Sequence, residues 1–351
     1  MVDIPRMKKQ NPKLKAQLLL GFLLFWTGCS APGVELSFSG QTMGTTYSIK
    51  IISPNPIQNP SKIQEGIDSV LTIVNMNMST WISTSEISRF NRDQTESVIP
   101  VSFHLKEVIQ KSIEISKATD GAFDVTVFNL MALWGFGPNP IKGVPSAEDI
   151  LVAMMSSGYQ NLVLEPEGIR KQNPNIKLDL NSIAKGYGVD QVFHWLVSRR
   201  FADVFVEIGG EVRCIGMNKK GELWKVGIDD PNLDGVPGSE LAGVVSLYNQ
   251  AMATSGNYQN FIEQDGKIFG HTIDPRIGRP VETNVLSVSV ISNSCMEADG
   301  WATAFMVLGY EEGKKLVSSK SGLQVCWVLS DSDGIRRIEK TPGFKIENLR
   351  Y

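Results

Sequence analysis

Three short runs hold the residues able to do chemistry. In Gly270-His271-Thr272-Ile273-Asp274-Pro275 a histidine stands where a predicted strand enters a turn. An imidazole there titrates near neutral pH and serves as a general base when a partner fixes its orientation. A lone histidine is, on its own, more often structural. In Glu297-Ala298-Asp299-Gly300-Trp301-Ala302-Thr303, Asp299 and Thr303 lie four apart at the start of a predicted helix. That spacing puts a carboxylate and a hydroxyl on one helical face, a pair suited to a hard cation that keeps several waters, in the manner of Mg²⁺. An acid meeting the helix dipole beside a solvated threonine gives the same pattern and is commoner. The third run, Asp179-Leu180-Asn181-Ser182-Ile183-Ala184-Lys185-Gly186-Tyr187-Gly188, marks a change from strand to helix. Backbone N–H groups at a glycine-bearing helix start, with a lysine near, form a cradle for phosphate. Tight helix packing with Lys185 in solvent fits these residues equally well. The order of a nucleoside-triphosphate loop, Gly-x₄-Gly-Lys-Ser/Thr, is absent. Trp81, Phe123, Trp134 and Phe136 offer rings to stack on a planar ligand, although core packing is the default for each.

The elements that must position these runs follow from periodicity. A strand is predicted around residues 45–52, before a Pro/Asn-rich turn at 53–60. Ile63, Ile67, Val70, Leu71 and Val74 then share a helical face behind a capping pattern, Ser61 with Gln64. A second helix is predicted over 105–118, ended by Asp120-Gly121. Asn181 or Ser182 is the expected cap of a helix reaching about residue 198, with Gly186 and Gly188 in its first turns implying close approach of a ligand or backbone. Strands are predicted at 203–208, 211–215, 223–228, 243–247, 286–291 and 324–329, with Gly209-Gly210 as a hairpin turn, and helices at 296–308 and 311–319. Strands that do not alternate regularly with helices predict an α+β fold, mixed and largely antiparallel, with packed helices. At 351 residues the chain is long enough for one domain of two lobes or for two modest domains.

The N-terminus addresses the protein. Arg6, Lys8, Lys9, Lys13 and Lys15 precede the apolar run Leu18–Trp26, too short to span a bilayer comfortably, so residues 1–28 read as a secretory signal peptide of lipoprotein type. Thr27-Gly28-Cys29 resembles a lipoprotein cleavage box, with Trp26 where leucine is usual. Cys29 is the expected lipidation site, carrying palmitate. An uncleaved apolar anchor is the alternative, and both readings export the body. Residues 29–40 read as a linker and 41–351 as the domain. Removing residues 1–28 takes away five basic residues and Asp3, leaving 29 Lys+Arg against 36 Asp+Glu, a net charge of −7 that argues against nucleic acid as a partner. Cys214, Cys295 and Cys326 are an odd number in isolated settings and are expected as buried thiols. Three histidines, His104, His194 and His271, are too few for a His-rich transition-metal site.

Read in order, the runs Met43-Gly44-Thr45-Thr46-Tyr47, Met78-Ser79-Thr80-Trp81, Ser85–Asn91, Asp120–Asp124, Asp179–Gly188, Glu207–Glu211, Thr254-Ser255-Gly256, His271–Gly278 and Ala298–Thr303 resemble the ApbE family, the FAD:protein FMN transferases. The resemblance covers about residues 40–310. It implies an Mg²⁺-dependent enzyme with its flavin site between two lobes, transferring the FMN half of FAD to a threonine or serine of a partner and releasing AMP. Carried over by position, Met43, Trp81, Ala122, Phe123, Asp124, Asp179, Lys185 and Ile273 would contact FAD. Ser182, Asp299 and Thr303 would hold the metal, Ser182 through its backbone carbonyl, since side chains vary there in the family. Trp81 stands where the family often has tyrosine, keeping the stacking ring but not the hydroxyl. His271 would take the proton of the acceptor hydroxyl; Asp274 either orients it or caps the Asp-Pro turn, the turn being favoured. The implied partner is a flavoprotein subunit of a membrane redox complex, with the enzyme lipid-anchored on the periplasmic face of the inner membrane in a Gram-negative cell. Two alternatives stand beside it: hydrolysis of FAD to FMN and AMP with the same metal and cradle, or non-enzymatic flavin binding by an exported lipoprotein, which has no need of a metal at Asp299 and Thr303.

Overall fold

The computed structural model describes residues 33–231, 240–256, 261–264, 267–331 and 333–350; the signal, Cys29 and the first residues of the linker fall outside these. In chain order the strands are β1 (Val34–Thr42), β2 (Thr45–Ser53), β3 (Ile99–Pro100), β4 (Leu162–Glu165), β5 (Gly168–Lys171), β6 (Asp203–Ile208), β7 (Glu211–Ile215), β8 (Trp224–Asp229), β9 (Leu241–Leu247), β10 (Ala251–Gly256), β11 (Phe261–Gln264), β12 (Lys267–Gly270), β13 (Ile273–Asp274), β14 (Arg279–Pro280), β15 (Val285–Ser292), β16 (Gln324–Ser330) and β17 (Arg336–Lys340). The α-helices are α1 (Pro60–Met78), α2 (Glu86–Arg92), α3 (Phe103–Ala118), α4 (Phe128–Leu133), α5 (Ala147–Met155), α6 (Ala184–Ser198) and α7 (Cys295–Val317). An eight-stranded sheet in the order β1-β2-β6-β7-β10-β15-β16-β17 organises them, every neighbouring pair antiparallel. The α+β class read from the sequence holds.

Period-two alternation gives this sheet two dressed faces. Val204, Val206 and Ile208 of β6 join Ile63, Ile67 and Leu71 of α1 and Val189, Val192 and Leu196 of α6 in one apolar cluster. Val212 and Cys214 of β7 and Met252 of β10 point the other way, into a cluster with Trp224, Val226 and Ile228 of β8 and Val245 and Leu247 of β9. Helices therefore cover one face and the β8–β9 ribbon the other. A third cluster packs α3 and α7 with β15 and the small sheet β3-β5-β4, and a fourth holds α4, α5 and Ile273. The two lobes expected for the domain are continuous in one compact unit, Pro32–Tyr351.

Several predicted boundaries move, each for a local reason. Residues 34–40, read as linker, belong to β1, an edge strand whose polar run buries only Phe38 and Thr42 and so lacks a hydrophobic pattern. The Ser61 capping box does not form: α1 starts at Pro60, where the missing N–H costs nothing, with Asn59 as N-cap. Neither Asn181 nor Ser182 caps α6, whose N-cap is Ile183. The helices predicted at 296–308 and 311–319 are joined in α7, kinked at Gly309, which sits at φ 71°. Gly209 and Gly210 make the β6–β7 turn with φ of 58° and 99°, as only glycine does at low cost.

Candidate active site

The site begins where β7, β10, α6 and α7 meet. Alternation along β7 turns Glu211 and Arg213 towards the helices, and alternation along β10 does the same for Ser255. Asp190 of α6 accepts hydrogen bonds from the Cys295 and Met296 N–H groups (2.9 and 3.0 Å) and the Ser294 hydroxyl (2.7 Å), and pairs with Arg213 at 2.6 Å. One helix thus caps the other across 105 residues of sequence. Gly186 lets them close: a Cβ there would lie 2.3 Å from the Cys295 carbonyl oxygen and 2.8 Å from Asp299 Cβ. That approach sets Lys185 of α6 beside Asp299 of α7, and Thr303 lies one helical turn on from Asp299.

Within this wedge Lys185 Nζ donates to Glu211 Oε1 at 2.5 Å, Gly186 N–H donates to Asp299 Oδ2 at 2.9 Å, and Ser255 Oγ and Thr303 Oγ1 share a hydrogen bond at 3.1 Å. Glu211 and Asp299 are both buried, and burial raises the pKa of each carboxyl, against the pull of the Lys185 ammonium. Burial also works against charge on Lys185, but Glu211 and Asp299 overcome it and hold the ammonium protonated.

The flanking residues are tied to this centre by a chain of hydrogen bonds. Asp179 N–H donates to the Val125 carbonyl at 2.8 Å, joining the Ala122-Phe123-Asp124 loop to the entry of α6. Asn91 of α2 grips Leu178 through both its main-chain groups (2.7 and 2.8 Å). Ser85 Oγ donates to the Ser79 carbonyl at 2.6 Å, which fixes the loop presenting Trp81. Met43, at φ 50° in the β1–β2 turn, reaches over α6: a Cβ on Gly188 would meet its Cε at 2.7 Å.

Not every expected FAD contact offers a side chain. Ala122 and Phe123 are buried in the core, and Ile273 packs in the fourth cluster with Leu130, Leu133, Trp134 and Ile150. Asp124 is occupied: Oδ1 accepts from Thr126 N–H and Oγ, and Oδ2 from Tyr159 N–H at 2.7 Å. Burial pushes its pKa up while these donors oppose that. Asp179 is likewise buried, raised by burial, and holds Asn181. The backbone N–H groups of Ala122, Phe123 and Asp179 are engaged as well, by the Thr119 carbonyl, Thr119 Oγ1 and the Val125 carbonyl. Trp81, by contrast, is 66% exposed, an indole with a free face.

His271 opens the turn 271–278, with Phe136 edge-on at 6.4 Å between ring centroids. Asp274 accepts from Arg276 Nε and Nη2 at 2.9 and 2.8 Å, and it also closes the turn, its Oδ1 taking the Arg276 N–H and its carbonyl the Gly278 N–H. Trp134 Nε1 donates to the Gly278 carbonyl at 2.8 Å and anchors the far end.

The donor set fits Mg²⁺. The Gly186 N–H that would close a turn on the Ser182 carbonyl goes to Asp299 instead, leaving that carbonyl outside the helical ladder. Asp299, the Thr303 hydroxyl and that carbonyl, the set the resemblance implies, are all hard oxygens, and Glu211 Oε2 is buried without a hydrogen-bond partner. Sequence reasoning missed Glu211 and Ser255 as parts of the site, although both lie in runs that carry the resemblance.

The sequence model of the ApbE family matches residues 43–327. The chain belongs to the ApbE family. Among its relatives, the FAD:protein FMN transferase of Vibrio cholerae is 39% identical over 318 residues, covering 90% of this chain and 94% of the relative. That of Escherichia coli is 33% identical over 332 residues, covering 91% and 93%. Among solved ApbE structures, the flavin transferase from Vibrio cholerae superposes with a TM-score of 0.82 at 37% identity, covering 89% of this chain and 99% of that one. The apo flavinyl transferase from Pseudomonas stutzeri gives 0.80 at 34%, covering 88% and 95%. These ApbE structures share the α+β architecture described above.

Proposed function

We propose that this chain is an FAD:protein FMN transferase that moves the FMN half of FAD onto a threonine or serine hydroxyl of a partner protein through a phosphoester bond, with Mg²⁺. The observation that supports the reading is the closure of α6 on α7 at Gly186, which sets Lys185 beside Asp299. In the reaction the acceptor oxygen forms a bond to the FMN phosphorus, the bond from that phosphorus to the oxygen of the AMP phosphate breaks, and AMP leaves with the electron pair. Such a displacement needs positioning, charge neutralisation and an activated alcohol.

Each need has a group on this chain. Trp81 would stack on the isoalloxazine, and Met43 and the Asp179–Gly188 backbone would hold the diphosphate. Lys185, already protonated beside Glu211, would face the phosphate oxygens. His271 would accept the hydroxyl proton, a contribution of roughly 10²–10⁴-fold for a placed base. Mg²⁺ held by Ser182, Asp299 and Thr303 would supply charge neutralisation at the diphosphate.

The apolar run before Cys29 supports export and lipid anchoring, which would set the enzyme on the periplasmic face of the inner membrane of a Gram-negative cell, beside flavoprotein subunits of membrane redox complexes. The test is incubation with FAD, Mg²⁺ and an acceptor fragment, read by mass spectrometry. An FMN-sized addition on a hydroxyl residue is expected. AMP and FMN without an adduct would make the protein a hydrolase, and FAD bound intact without any product would make it a carrier.

A further inference from the structure

Two buried carboxylates share one ammonium in the α6–α7 wedge. Glu211 and Asp299 are 1% and 4% exposed, and Lys185 feels both charges. Asp190 is matched separately by Arg213, so with both acids ionised, as a bound cation requires, the wedge carries one uncompensated negative charge. Lys185 is a flexible cation on a four-carbon stem, and the acid it pairs with decides what the other acid is free to do. Here it pairs with Glu211 alone, while Asp299 is held through Oδ2 by the Gly186 N–H. Two ammonium hydrogens and Asp299 Oδ1 carry no hydrogen bond among the described residues, and Glu211 Oε2 is buried without a partner.

We infer that Glu211 is a positioning residue that draws Lys185 away from Asp299, so that the Asp299 carboxylate stays open to a divalent cation and the lysine stays open to an anion. Asp299 and Lys185 lie beside the same residue, Gly186. Without a negative charge at 211 the nearest anion for the ammonium is Asp299 itself, and a lysine paired with Asp299 competes directly with a metal. Position 211 also sets the charge of the wedge: neutralising it takes the net from minus one to zero, which disfavours a second cation. An effect on the order of tenfold or more in cation affinity is expected for one unit charge at this range in a buried site.

This inference rests on the proposed metal site, and binding of Mn²⁺ to the FAD-free protein, followed by electron paramagnetic resonance, separates the two. Glu211→Gln keeps an oxygen for Lys185 and removes only the charge; it is expected to weaken Mn²⁺ at least about tenfold. Lys185→Met is expected to bind Mn²⁺ at least as tightly as the unmodified protein. The double variant Glu211→Gln/Lys185→Met returns the wedge to minus one and is expected to regain most of the loss, which a merely structural role for the ion pair would not give. A thermal melt on each variant, with Glu211→Asp as a charge-retaining control, shows that the fold is present. Equal Mn²⁺ affinity with and without the Glu211 charge, or a double variant weaker than either single one, overturns the inference alone. Absence of Mn²⁺ binding by the unmodified protein overturns the metal site as well.

Discussion

Gly186→Ala sets helix propensity against packing. In an isolated helix the change stabilises by about 1 kcal/mol. In this protein the new Cβ would lie 2.3 Å from the Cys295 carbonyl oxygen and 2.8 Å from Asp299 Cβ, and the first of these is backbone. Restoring ordinary contact requires α6 and α7 to part by about 1 Å. Overpacking of this kind costs typically about 1–3 kcal/mol, so the net is a loss of about 0–2 kcal/mol and a melting temperature lower by up to a few degrees. The parting also stretches the Gly186 N–H to Asp299 bond and moves Lys185 away from Asp299. A displacement of about 1 Å in a positioned site costs on the order of 10² in rate. The assay is initial FMN transfer under saturating FAD beside a thermal melt of the same sample. A variant that melts at or above the unmodified protein and transfers at its rate would refute the claim that close α6–α7 contact assembles the site.

Other expected outcomes follow from single residues. His271→Ala should abolish transfer while FAD binding, measured by fluorescence quenching, stays within a few-fold; near-normal transfer would remove the histidine from the role of base. Trp81→Ala should leave the melting temperature unchanged, because the ring is 66% exposed, and raise the Kd for FAD roughly three- to tenfold through lost stacking; an unchanged Kd would place the flavin elsewhere. Chelation of divalent cations should stop AMP release and adduct formation together, and transfer persisting in excess chelator would rule out the Ser182, Asp299 and Thr303 site. Lys171 is buried over Phe90, and burial lowers its pKa to about 8. Between pH 8 and about 10.5 the unfolded chain holds this proton and the folded one does not, so stability attributable to Lys171 rises with pH by up to about 3 kcal/mol. Denaturant unfolding of Lys171→Met should lack that rise when compared with the unmodified protein, and parallel pH profiles would contradict the assignment.

What the sequence made legible was local. Asp299 and Thr303 four apart, and two glycines in the first turns of α6, pointed to the two helices that close on each other, because helix spacing and glycine permissiveness act over a few residues. Asp274 was equally readable, since its partner Arg276 is two residues away. Pairings set by tertiary folding were not. Glu211 meets Lys185 across 26 residues and Asp190 caps α7 across more than a hundred, and nothing in either local pattern announces the partner. Asp124 looked available to FAD until the fold delivered Tyr159 N–H to it. Elements without a one-sided apolar pattern were also lost. In β1 the alternation is mostly polar, β10 is built from small residues apart from Met252, and α5 leaves Leu151, Val152 and Met155 exposed beside buried Ile150.

The central claim is that the α6–α7 wedge and the His271 turn act together to place FMN on a protein hydroxyl. The most direct measurement is the intact mass of an acceptor fragment after incubation with the full chain, FAD and Mg²⁺, with the modified residue located by fragmentation. An FMN-sized addition on one threonine or serine, with AMP released in equal amount and neither product formed by His271→Ala, is the predicted result. Release of AMP with no mass added to any acceptor, at the same rate with and without His271, would contradict it.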